Sequence, residues 1–376
     1  MGKLIKKNGL TGGPCAGKTT AIDSVRDNLT NRGYYTMVTP EASTEVNGMG
    51  ISCVGNNPVN NLAFQEIILQ RQLFNEKQAE KAIKNMKDNL KCVVICDRGV
   101  LDGKAYTNKE GFDKILKKYN LDEIKLMDSY SSIIHMRSAA VGPEKYFSHE
   151  SNKYRRENVE EARILDERLL QAWNGHDRLH IVDNSTNFEN KIKNVVDLIF
   201  KELGIKTFTR YQRKFLIDLN GTDLRFLDNI SCRNIKNKQI YLENFDNPDI
   251  EIRLRQRILN GISTYSYCEK IKGENGMDEV LKRRNLSKYE FEFLLKNSKY
   301  INKFNVEKIR YTFEYNNQYF KLDIYEHSNL AILEVEPNNV KAHVEIPNFI
   351  KIVDEVTKKK EYNNFSLAKK MINNYR

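Results

Sequence analysis

A glycine-rich segment near the amino terminus has the residue types that hold a phosphate group. It matches the pattern G-x-x-x-x-G-K-[ST] in full and consists of Gly12, Gly13, Pro14, Cys15, Ala16, Gly17, Lys18 and Thr19, followed by Thr20. The glycines let backbone N–H groups turn inward around phosphate oxygens, in conformations that a Cβ atom would obstruct. Lys18 would place its charge near the β- and γ-phosphates, and the Thr19 hydroxyl would bind Mg²⁺. The segment therefore predicts a site for a nucleoside triphosphate with magnesium.

An acidic residue at the end of an apolar run supplies the second part of such a site. Asp97 follows the run Val-Val-Ile-Cys, and a carboxylate at the end of a parallel strand lies near the Mg²⁺ and its waters. The next residue is Arg98, and an Asp-Arg pair at this point is more typical of nucleoside and nucleotide kinases than of Ras-type GTPases. Glu41 follows the second predicted strand, where kinases often place a substrate-facing carboxylate. A plain loop residue is an equal alternative for Glu41.

A basic segment after the fourth predicted strand resembles a lid. Arg137 begins it, and its other polar residues are Lys145, Asn152, Lys153, Arg155 and Arg156. In kinase-like proteins such a segment closes over the nucleotide and brings arginines to the transferring phosphoryl group. The alternative is a solvated basic loop. The predicted catalytic residues are Lys18, Asp97, Arg137, Arg155 and Arg156.

The composition is that of a soluble protein with two domains. The 376 residues, 40% hydrophobic and 30% charged, exceed a single ordinary core. No run approaches the roughly 18 apolar residues of a membrane-spanning helix. Six cysteines without a CxxC pair indicate free thiols in a reducing cytosol. The net charge of +11 is spread along the chain, and without a stacking motif or a long basic run it does not favour nucleic acid as the partner.

The first two hundred residues alternate short apolar runs with helical patterns, which is typical of a parallel α/β sheet. The predicted strands are 4–10, 34–39, 92–96, 131–135 and 179–182, and the predicted helices are 19–30, 62–89, 159–173 and 191–203. The first strand is unexpectedly polar, because Lys6, Lys7 and Asn8 stand where a buried parallel strand is normally apolar. We therefore predict an α/β P-loop NTPase domain of the nucleotide-kinase-like type over 1–206.

The pattern changes after about residue 207. The predicted strands there are 215–219, 239–242, 251–257, 263–272, 308–315, 319–325 and 331–336, and the predicted helices are 288–296 and 347–356. Such an order predicts an antiparallel α+β domain over 207–376, in the form of a barrel or a strongly curved sheet.

Three segments of the first domain together resemble the AAA-type ATPase/GTPase domain of the TRPL translocation defect protein family. They are residues 11–20, residues 97–99 with 101–103, and Ala172-Trp173 with Gly175-His176. That family joins the P-loop domain to a C-terminal CYTH-like domain, which has the triphosphate-tunnel fold. Its characterised members are described as GTP-binding and phosphoinositide-binding factors in membrane-protein trafficking. The resemblance therefore implies GTP, a phosphoinositide ligand and a cytoplasmic protein with a peripheral membrane contact.

The second domain resembles the triphosphate tunnel at several positions. The matching residues are Lys214, Arg253, Arg255, Lys270, Arg310, Asp323, Glu334 and Glu336. A period of two along a strand turns Arg253 and Arg255 to one face of the sheet. Cations that converge inside a barrel are costly unless an anion joins them, so the expected ligand is a polyphosphate or a phosphorylated head group. The alternative is a sheet with alternating charges on a solvent-facing surface.

The first tunnel motif, Glu-x-Glu-x-Lys, is altered in this chain. The corresponding positions are Arg210, Gln212 and Lys214, so the first of the two glutamate pairs that hold divalent metal is missing. Glu334 and Glu336 remain as predicted metal ligands. We therefore expect a degenerate tunnel that binds a phosphorylated ligand without hydrolysing it.

Two functions remain open from the sequence. The leading hypothesis is Mg²⁺-dependent binding and slow hydrolysis of GTP or ATP, with the nucleotide state governing what the second domain binds. The alternative is a nucleoside or nucleotide kinase fused to a tunnel-type triphosphatase, which Glu41, Asp97-Arg98 and the two lid arginines support. The residues do not specify the base, since the Asn-Lys-x-Asp motif of Ras-type proteins fails at Gly111.

Overall fold

The chain divides into two compact units, Met1–Thr207 and Phe208–Arg376. The computed structural model describes residues 5–55, 58–86, 90–144, 158–205, 212–228, 230–272, 278–300, 305–337 and 343–369. Arg155, Arg156 and Arg210 lie outside the described residues, so their predicted roles stay predictions. Within the described ranges, no helix combines the length and the apolar character that crossing a membrane requires.

The amino-terminal unit is built on a parallel sheet of five strands, as the sequence predicts. These are β1 (Lys6–Thr11), β2 (Tyr34–Thr39), β3 (Lys91–Asp97), β4 (Ser132–Met136) and β5 (Leu179–Val182). Their order is β2-β3-β1-β4-β5, with every neighbouring pair parallel. Since parallel strands end at the same edge of a sheet, the residues that follow β1 and β3 come together there.

Seven α-helices accompany this sheet among the residues that the structure describes. They are α1 (Lys18–Thr30), α2 (Ala42–Gly48), α3 (Asn61–Lys84), α4 (Lys109–Lys118), α5 (Glu123–Asp128), α6 (Val159–Ala172) and α7 (Phe188–Leu203). The apolar faces of α1 and α7 form one core with β1, β3 and β4 that includes Leu10, Val25 and Val195. Gly204 ends α7 with a φ of 73°, a left-handed conformation that glycine adopts without strain.

The polar residues of β1 are explained by partners on neighbouring elements. The Lys7 ammonium lies 2.7 Å from a carboxylate oxygen of Glu76 and 3.1 Å from one of Glu80, both in α3. Asn8 accepts a hydrogen bond of 2.8 Å from the Ser132 hydroxyl in β4. Burial would lower the pKa of Lys7, but the charges of Glu76 and Glu80 raise it to about 12, so the side chain stays protonated. The strand can therefore be both central and polar.

The carboxy-terminal unit is an antiparallel sheet of nine strands with two helices. The strands are β6 (Arg213–Ile217), β7 (Arg233–Leu242), β8 (Ile250–Leu259), β9 (Ile262–Lys272), β10 (Asp278–Leu286), β11 (Val306–Tyr315), β12 (Gln318–Tyr325), β13 (Ala331–Val335) and β14 (Ile352–Glu355), and the helices are α8 (Lys288–Asn297) and α9 (Asn364–Lys369). The strand order is β10-β9-β8-β7-β11-β12-β13-β6-β14. The predicted fold class, a parallel α/β domain followed by an antiparallel α+β domain, is confirmed.

The sequence prediction for this unit omits β10 and includes one helix that is absent. The sequence did not indicate β10, whose residues are mostly charged, because it lies at the sheet edge and lacks a clear alternation of apolar and polar positions. The helix predicted over 347–356 is also absent, since Ile352–Glu355 form β14 and pair with β6. The β-branched residues Ile352 and Val353 favour a strand, and tertiary pairing with β6 overrides the helical pattern.

Candidate functional site

The glycine-rich segment joins a strand to a helix, as a phosphate loop requires. It runs from the end of β1 at Thr11 to the start of α1 at Lys18. Gly12 has a φ of 141° and Gly17 a φ of 87°, both in the region that favours glycine. A Cβ atom on Gly12 would lie 2.0 Å from the carbonyl oxygen of Met136. The loop geometry therefore depends on glycine, and the N-terminus of α1 directs its dipole towards any anion in the loop.

The lysine of the motif is held against the loop itself. Its ammonium donates hydrogen bonds of 2.9 Å to the carbonyl of Gly12 and 3.0 Å to that of Gly13. Lys18 is only 6% exposed, so its charge is largely shielded from water. The side chains of Thr19 and Thr20 are exposed in the first turn of α1. This placement puts one cation and two hydroxyl groups at the predicted phosphate site.

Asp97 ends β3 and pairs in register with Leu10 at the end of β1. Its Oδ1 atom is buried and has no hydrogen-bond partner among the described residues. Burial raises the pKa of the carboxyl group, an effect that the charge of Lys18 opposes. An unsatisfied carboxylate oxygen and a threonine hydroxyl are hard oxygen donors, which suit Mg²⁺. The donor types present therefore fit Mg²⁺, and the roles of Thr19 and Asp97 as its ligands stay predictions.

Arg98 connects the end of β3 to the phosphate loop and to α2. Its backbone has a φ of 71°, which is strained for an arginine. The guanidinium lies 2.5 Å from a carboxylate oxygen of Glu41 and 3.4 Å from the Gly12 carbonyl. Burial would raise the pKa of Glu41, but the charges of Arg98 and Lys18 lower it to about 2. Glu41 is therefore ionised beside the loop and paired with Arg98, and its substrate-facing role stays a prediction.

Asp102 connects β1 to Trp173, the residue that directly follows α6. One oxygen accepts a hydrogen bond of 2.8 Å from the Thr11 hydroxyl, and the other accepts one of 2.6 Å from the indole N–H of Trp173. Trp173 is fully buried, and its ring would collide with a Cβ atom on Gly99 at 2.3 Å. Asp102 therefore links the end of β1, where the loop begins, to the buried Trp173.

Asp166 is a residue of this region that sequence reasoning missed. It is fully buried in α6 and accepts a hydrogen bond of 2.7 Å from the backbone N–H of Gly13. Arg137 donates one of 3.2 Å to it and one of 2.9 Å to Glu167. Burial would raise the pKa of Asp166, but the neighbouring His135 and Arg137 hold it well below its ordinary value. An aspartate on the apolar stripe of an amphipathic helix is the signal that could have revealed it.

The placement of Arg137 bears on its predicted catalytic role. The residue is only 4% exposed, and its guanidinium holds the phosphate loop through Asp166. Its contribution to catalysis stays a prediction. Arg155 and Arg156, the other predicted lid arginines, lie outside the described residues.

A cavity of about 570 Å³ adjoins the phosphate loop. Pro14 of the loop lines it together with Glu41, Arg98 and Asp102. Its opposite wall comes from α3 and includes Phe64 and Gln65. Of the residues that line the cavity, the sequence analysis proposed only Glu41 as a contact for a substrate. The other lining residues come from separate helices and loops, so no motif in the sequence marks them together.

In the carboxy-terminal unit, strand register brings the predicted tunnel residues to one face of the sheet. Residues directly opposite each other in an antiparallel pair point to the same face. These pairs include Arg253 with Tyr241, Arg255 with Gln239, Lys270 with Glu251, Arg310 with Asp323, and Glu334 with both Lys214 and Lys321. The opposite face of β8 carries Leu254, which packs with Phe291 of α8 in an apolar cluster. At β8, one face of the sheet is therefore apolar and packs against α8. The opposite face carries the charged side chains of the predicted tunnel.

Cations outnumber carboxylates on this charged face. Asp323 is fully buried and lies 2.6 Å from the Arg310 guanidinium, and the Lys308 ammonium lies 2.5 Å from its other oxygen. Burial lowers the pKa of Lys308 to about 8 despite that carboxylate. Lys308, Lys321 and Arg257 are buried cations of this face that the sequence did not single out. Alternation alone does not distinguish them from other charges of the same strands.

The predicted metal ligands of this unit are engaged with cations. Glu334 lies 3.2 Å from the Arg310 guanidinium and 3.5 Å from the Lys214 ammonium, and Glu336 lies 3.6 Å from the Lys321 ammonium. Burial would raise the pKa of Glu334, but Lys214 and Arg310 hold it well below its ordinary value. Over the described ranges, no group of three or more acidic, histidine or cysteine side chains could hold a metal. Metal binding by Glu334 and Glu336 stays a prediction.

Comparisons with known proteins give one family and a set of solved structures. A structure of the inorganic triphosphatase NE1496 is 25% identical and covers 44% of this chain and 97% of its own, with a TM-score of 0.32. The PH1819 protein from Pyrococcus horikoshii OT3 is 17% identical and covers 36% and 80%, with a TM-score of 0.26. A search of curated proteins found no significant match. Residues 8–191 match the family described as AAA domain, so the amino-terminal unit carries a nucleotide-binding domain of this P-loop-like type.

Proposed function

We propose that the amino-terminal unit binds GTP or ATP with Mg²⁺ and hydrolyses it slowly. The observation that carries this proposal is the glycine loop between β1 and α1, with Lys18 bound beneath it and the unpartnered oxygen of Asp97 beside it. Both features favour a polyphosphate chain with a divalent cation. The match of residues 8–191 to the AAA domain family supports the same assignment.

The side chains at the loop have separable roles in this proposal. Lys18 would leave the loop carbonyls and bind the terminal phosphates, where its charge offsets the negative charge that develops in transfer. Thr19 and Asp97 would hold Mg²⁺, which neutralises phosphate charge. Glu41 is a weak base because its pKa is about 2 and it is paired with Arg98.

For the carboxy-terminal unit we propose a regulatory domain that binds a phosphorylated ligand, either a polyphosphate or a phosphoinositide head group, without hydrolysing it. The cationic face of its sheet supports binding of an anion. The altered first motif leaves Gln212 where a tunnel hydrolase has a glutamate, and Glu334 is paired with cations. The resemblance to the TRPL translocation defect protein family supports the phosphoinositide and the peripheral membrane contact.

A second candidate function is transfer of a phosphoryl group to a small molecule. The cavity beside the phosphate loop favours it, because hydrolysis alone requires no such space. Glu41 and Arg98 lie where the loop and the cavity meet, which suits a phosphoryl acceptor.

Thermal unfolding of the full chain with a panel of ligands tests the proposed function. The panel contains ATP and GTP with and without Mg²⁺, tripolyphosphate and inositol phosphates. A ligand at about a hundred times its Kd stabilises the unit that it binds by about 2.7 kcal/mol. We expect a Mg²⁺-dependent stabilisation by at least one triphosphate, accompanied by slow release of phosphate. No stabilisation by either nucleotide would contradict the proposal for the amino-terminal unit.

Replacing Arg253 and Arg255 together by serine tests the carboxy-terminal unit. Each guanidinium–phosphate contact contributes about 1.5–3 kcal/mol, so the affinity for tripolyphosphate should fall on the order of a hundredfold or more. Titration calorimetry measures this loss, and Arg225→Ser is the control because its side chain is 89% exposed and pairs with Asp223. Tripolyphosphate hydrolysis with Mg²⁺ or Mn²⁺ by a Lys18→Ala variant would contradict binding without hydrolysis.

A further inference from the structure

The cavity beside the phosphate loop has the size and composition of a small-molecule site. Its volume of about 570 Å³ lies within the range of roughly 300–1,000 Å³ that such sites occupy. Apolar side chains of α3 form much of one wall and include Phe64, Ile68 and Leu69. Pro14 places one part of the cavity directly against the phosphate loop. A molecule bound there would lie next to the terminal phosphate of a nucleotide in the loop.

An unpartnered amide lines this cavity. Gln65 is 5% exposed, and its side chain forms no hydrogen bond with any other residue that the structure describes. Because this amide lines the cavity, a ligand bound there could supply its hydrogen-bond partner. An amide presents an acceptor and a donor side by side, a pattern that pairs with the edge of a nucleobase. The ring of Phe64, the preceding residue, offers an apolar aromatic surface in the same wall.

The charge of the described cavity wall disfavours an anionic ligand. Three carboxylates line it, those of Glu41, Asp102 and Glu161, against the single guanidinium of Arg98. That guanidinium is already paired with Glu41 and Asp102. A second phosphate group in this space would meet net negative charge among the described residues. An uncharged ligand with hydroxyl groups is therefore favoured over a nucleotide.

We propose that this cavity binds a nucleoside and that its sugar hydroxyl accepts a phosphoryl group from the nucleotide in the phosphate loop. The Gln65 amide forms hydrogen bonds with the edge of the nucleobase, and Glu41 and Arg98 orient the sugar hydroxyl at the loop. This assignment rests on the proposed nucleotide site and adds a specific acceptor to it.

The transfer step is balanced without any further reactant. The hydroxyl oxygen forms a bond to the γ-phosphorus, and the bond between that phosphorus and the β–γ bridging oxygen breaks. The bridging oxygen leaves on the nucleoside diphosphate, and the hydroxyl proton passes to the Glu41 carboxylate and then to water. Since the transition state is loose and needs positioning more than proton removal, the low basicity of Glu41 is compatible with this role.

The test supplies the full chain with Mg·ATP or Mg·GTP and, one at a time, the common ribonucleosides and deoxyribonucleosides. Nucleoside monophosphate is separated by ion-exchange chromatography, and phosphate release is measured in parallel. We expect at least one nucleoside to be phosphorylated about tenfold or more faster than water, as an oriented acceptor should be. Binding of a fluorescent triphosphate analogue is measured in the same preparations.

Variants separate the two assigned roles. Glu41→Gln should lower kcat about tenfold or more, because the acceptor hydroxyl loses a charged group that orients it at the loop. Gln65→Leu should raise KM for the accepted nucleoside about tenfold or more with a smaller change in kcat, because a base-edge contact is lost. Glu66→Gln is the matched control, since this carboxylate is also in α3, pairs with Lys118 and does not line the cavity. Gln65→Leu and Glu66→Gln should bind the triphosphate analogue as the unchanged protein does.

Each contrary result has a defined meaning. Triphosphate binding without phosphorylation of any nucleoside would overturn the acceptor assignment and leave the proposed NTPase intact. Phosphorylation of nucleoside monophosphates alone would also overturn it, because the charge argument would be wrong. An unchanged KM in Gln65→Leu would remove the base-reading role. Absence of triphosphate binding would overturn both this inference and the proposed function.

Discussion

Replacement of Lys18 by alanine is expected to weaken binding of Mg·ATP and Mg·GTP by at least about a hundredfold. A charged hydrogen bond to a phosphate contributes about 1.5–3 kcal/mol, and the upper part of this range applies because Lys18 is 6% exposed. The substitution also removes the two hydrogen bonds that the ammonium donates to the loop carbonyls of Gly12 and Gly13. Titration with a fluorescent triphosphate analogue measures the loss.

The control for this prediction is Lys114→Ala. Lys114 is an exposed lysine of α4, so its removal changes the net charge equally and should alter nucleotide affinity less than twofold to threefold, as expected for a screened surface charge. Phosphate release and any nucleoside phosphorylation should fall together with binding in Lys18→Ala. Retention of nucleotide affinity within threefold in Lys18→Ala would show that the nucleotide binds elsewhere.

The parts of the fold that the sequence predicts best are those whose signals are local. The strand before the glycine loop and the helix after it follow from the pattern around Gly12 and Gly17, because glycine is required there by the backbone conformation. The apolar run before Asp97 likewise specifies a buried parallel strand. Such signals depend only on neighbours in the chain, so they are readable without tertiary structure.

The residues that the sequence could not place owe their roles to partners far away in the chain. Asp166 accepts a hydrogen bond from Gly13 of the phosphate loop, which lies 153 residues earlier in the sequence. Gln65 is a candidate site residue only because it lines the cavity. The absent helix over 347–356 is a related failure, because pairing with β6 decides the conformation of β14. The site residues that could not be predicted from the sequence are therefore mostly those that depend on contacts between distant parts of the chain.

The two candidate sites differ in how they manage charge. At the phosphate loop the buried Lys18 ammonium donates hydrogen bonds to the carbonyl oxygens of Gly12 and Gly13. In the carboxy-terminal unit Asp323 and Glu334 hold Arg310 at 2.6 Å and 3.2 Å, so some cations of that face are already neutralised. A ligand there must compete with internal carboxylates.

The polar first strand makes the stability of the amino-terminal unit depend on Glu76. This residue is 2% exposed, and its carboxylate accepts hydrogen bonds from Lys7 at 2.7 Å, from Gln72 at 2.9 Å and from the Tyr130 hydroxyl. The Lys7 ammonium also lies 4.7 Å from the centre of the Tyr130 ring. Removal of one partner of a buried ion pair leaves the other charge uncompensated.

Glu76→Gln is therefore expected to lower the free energy of unfolding of the amino-terminal unit by about 3 kcal/mol. Urea unfolding followed by the fluorescence of Trp173, the single tryptophan of the chain, measures this loss in the unit that contains it. Glu80→Gln is the matched control, because the Glu80 side chain is 34% exposed and also pairs with Lys7, and it should cost less than about 1 kcal/mol. Combining Lys7→Met with Glu76→Gln should restore part of the loss, because no buried charge then lacks a partner. Equal effects of Glu76→Gln and Glu80→Gln would contradict this account, since the buried carboxylate would then contribute no more than the exposed one.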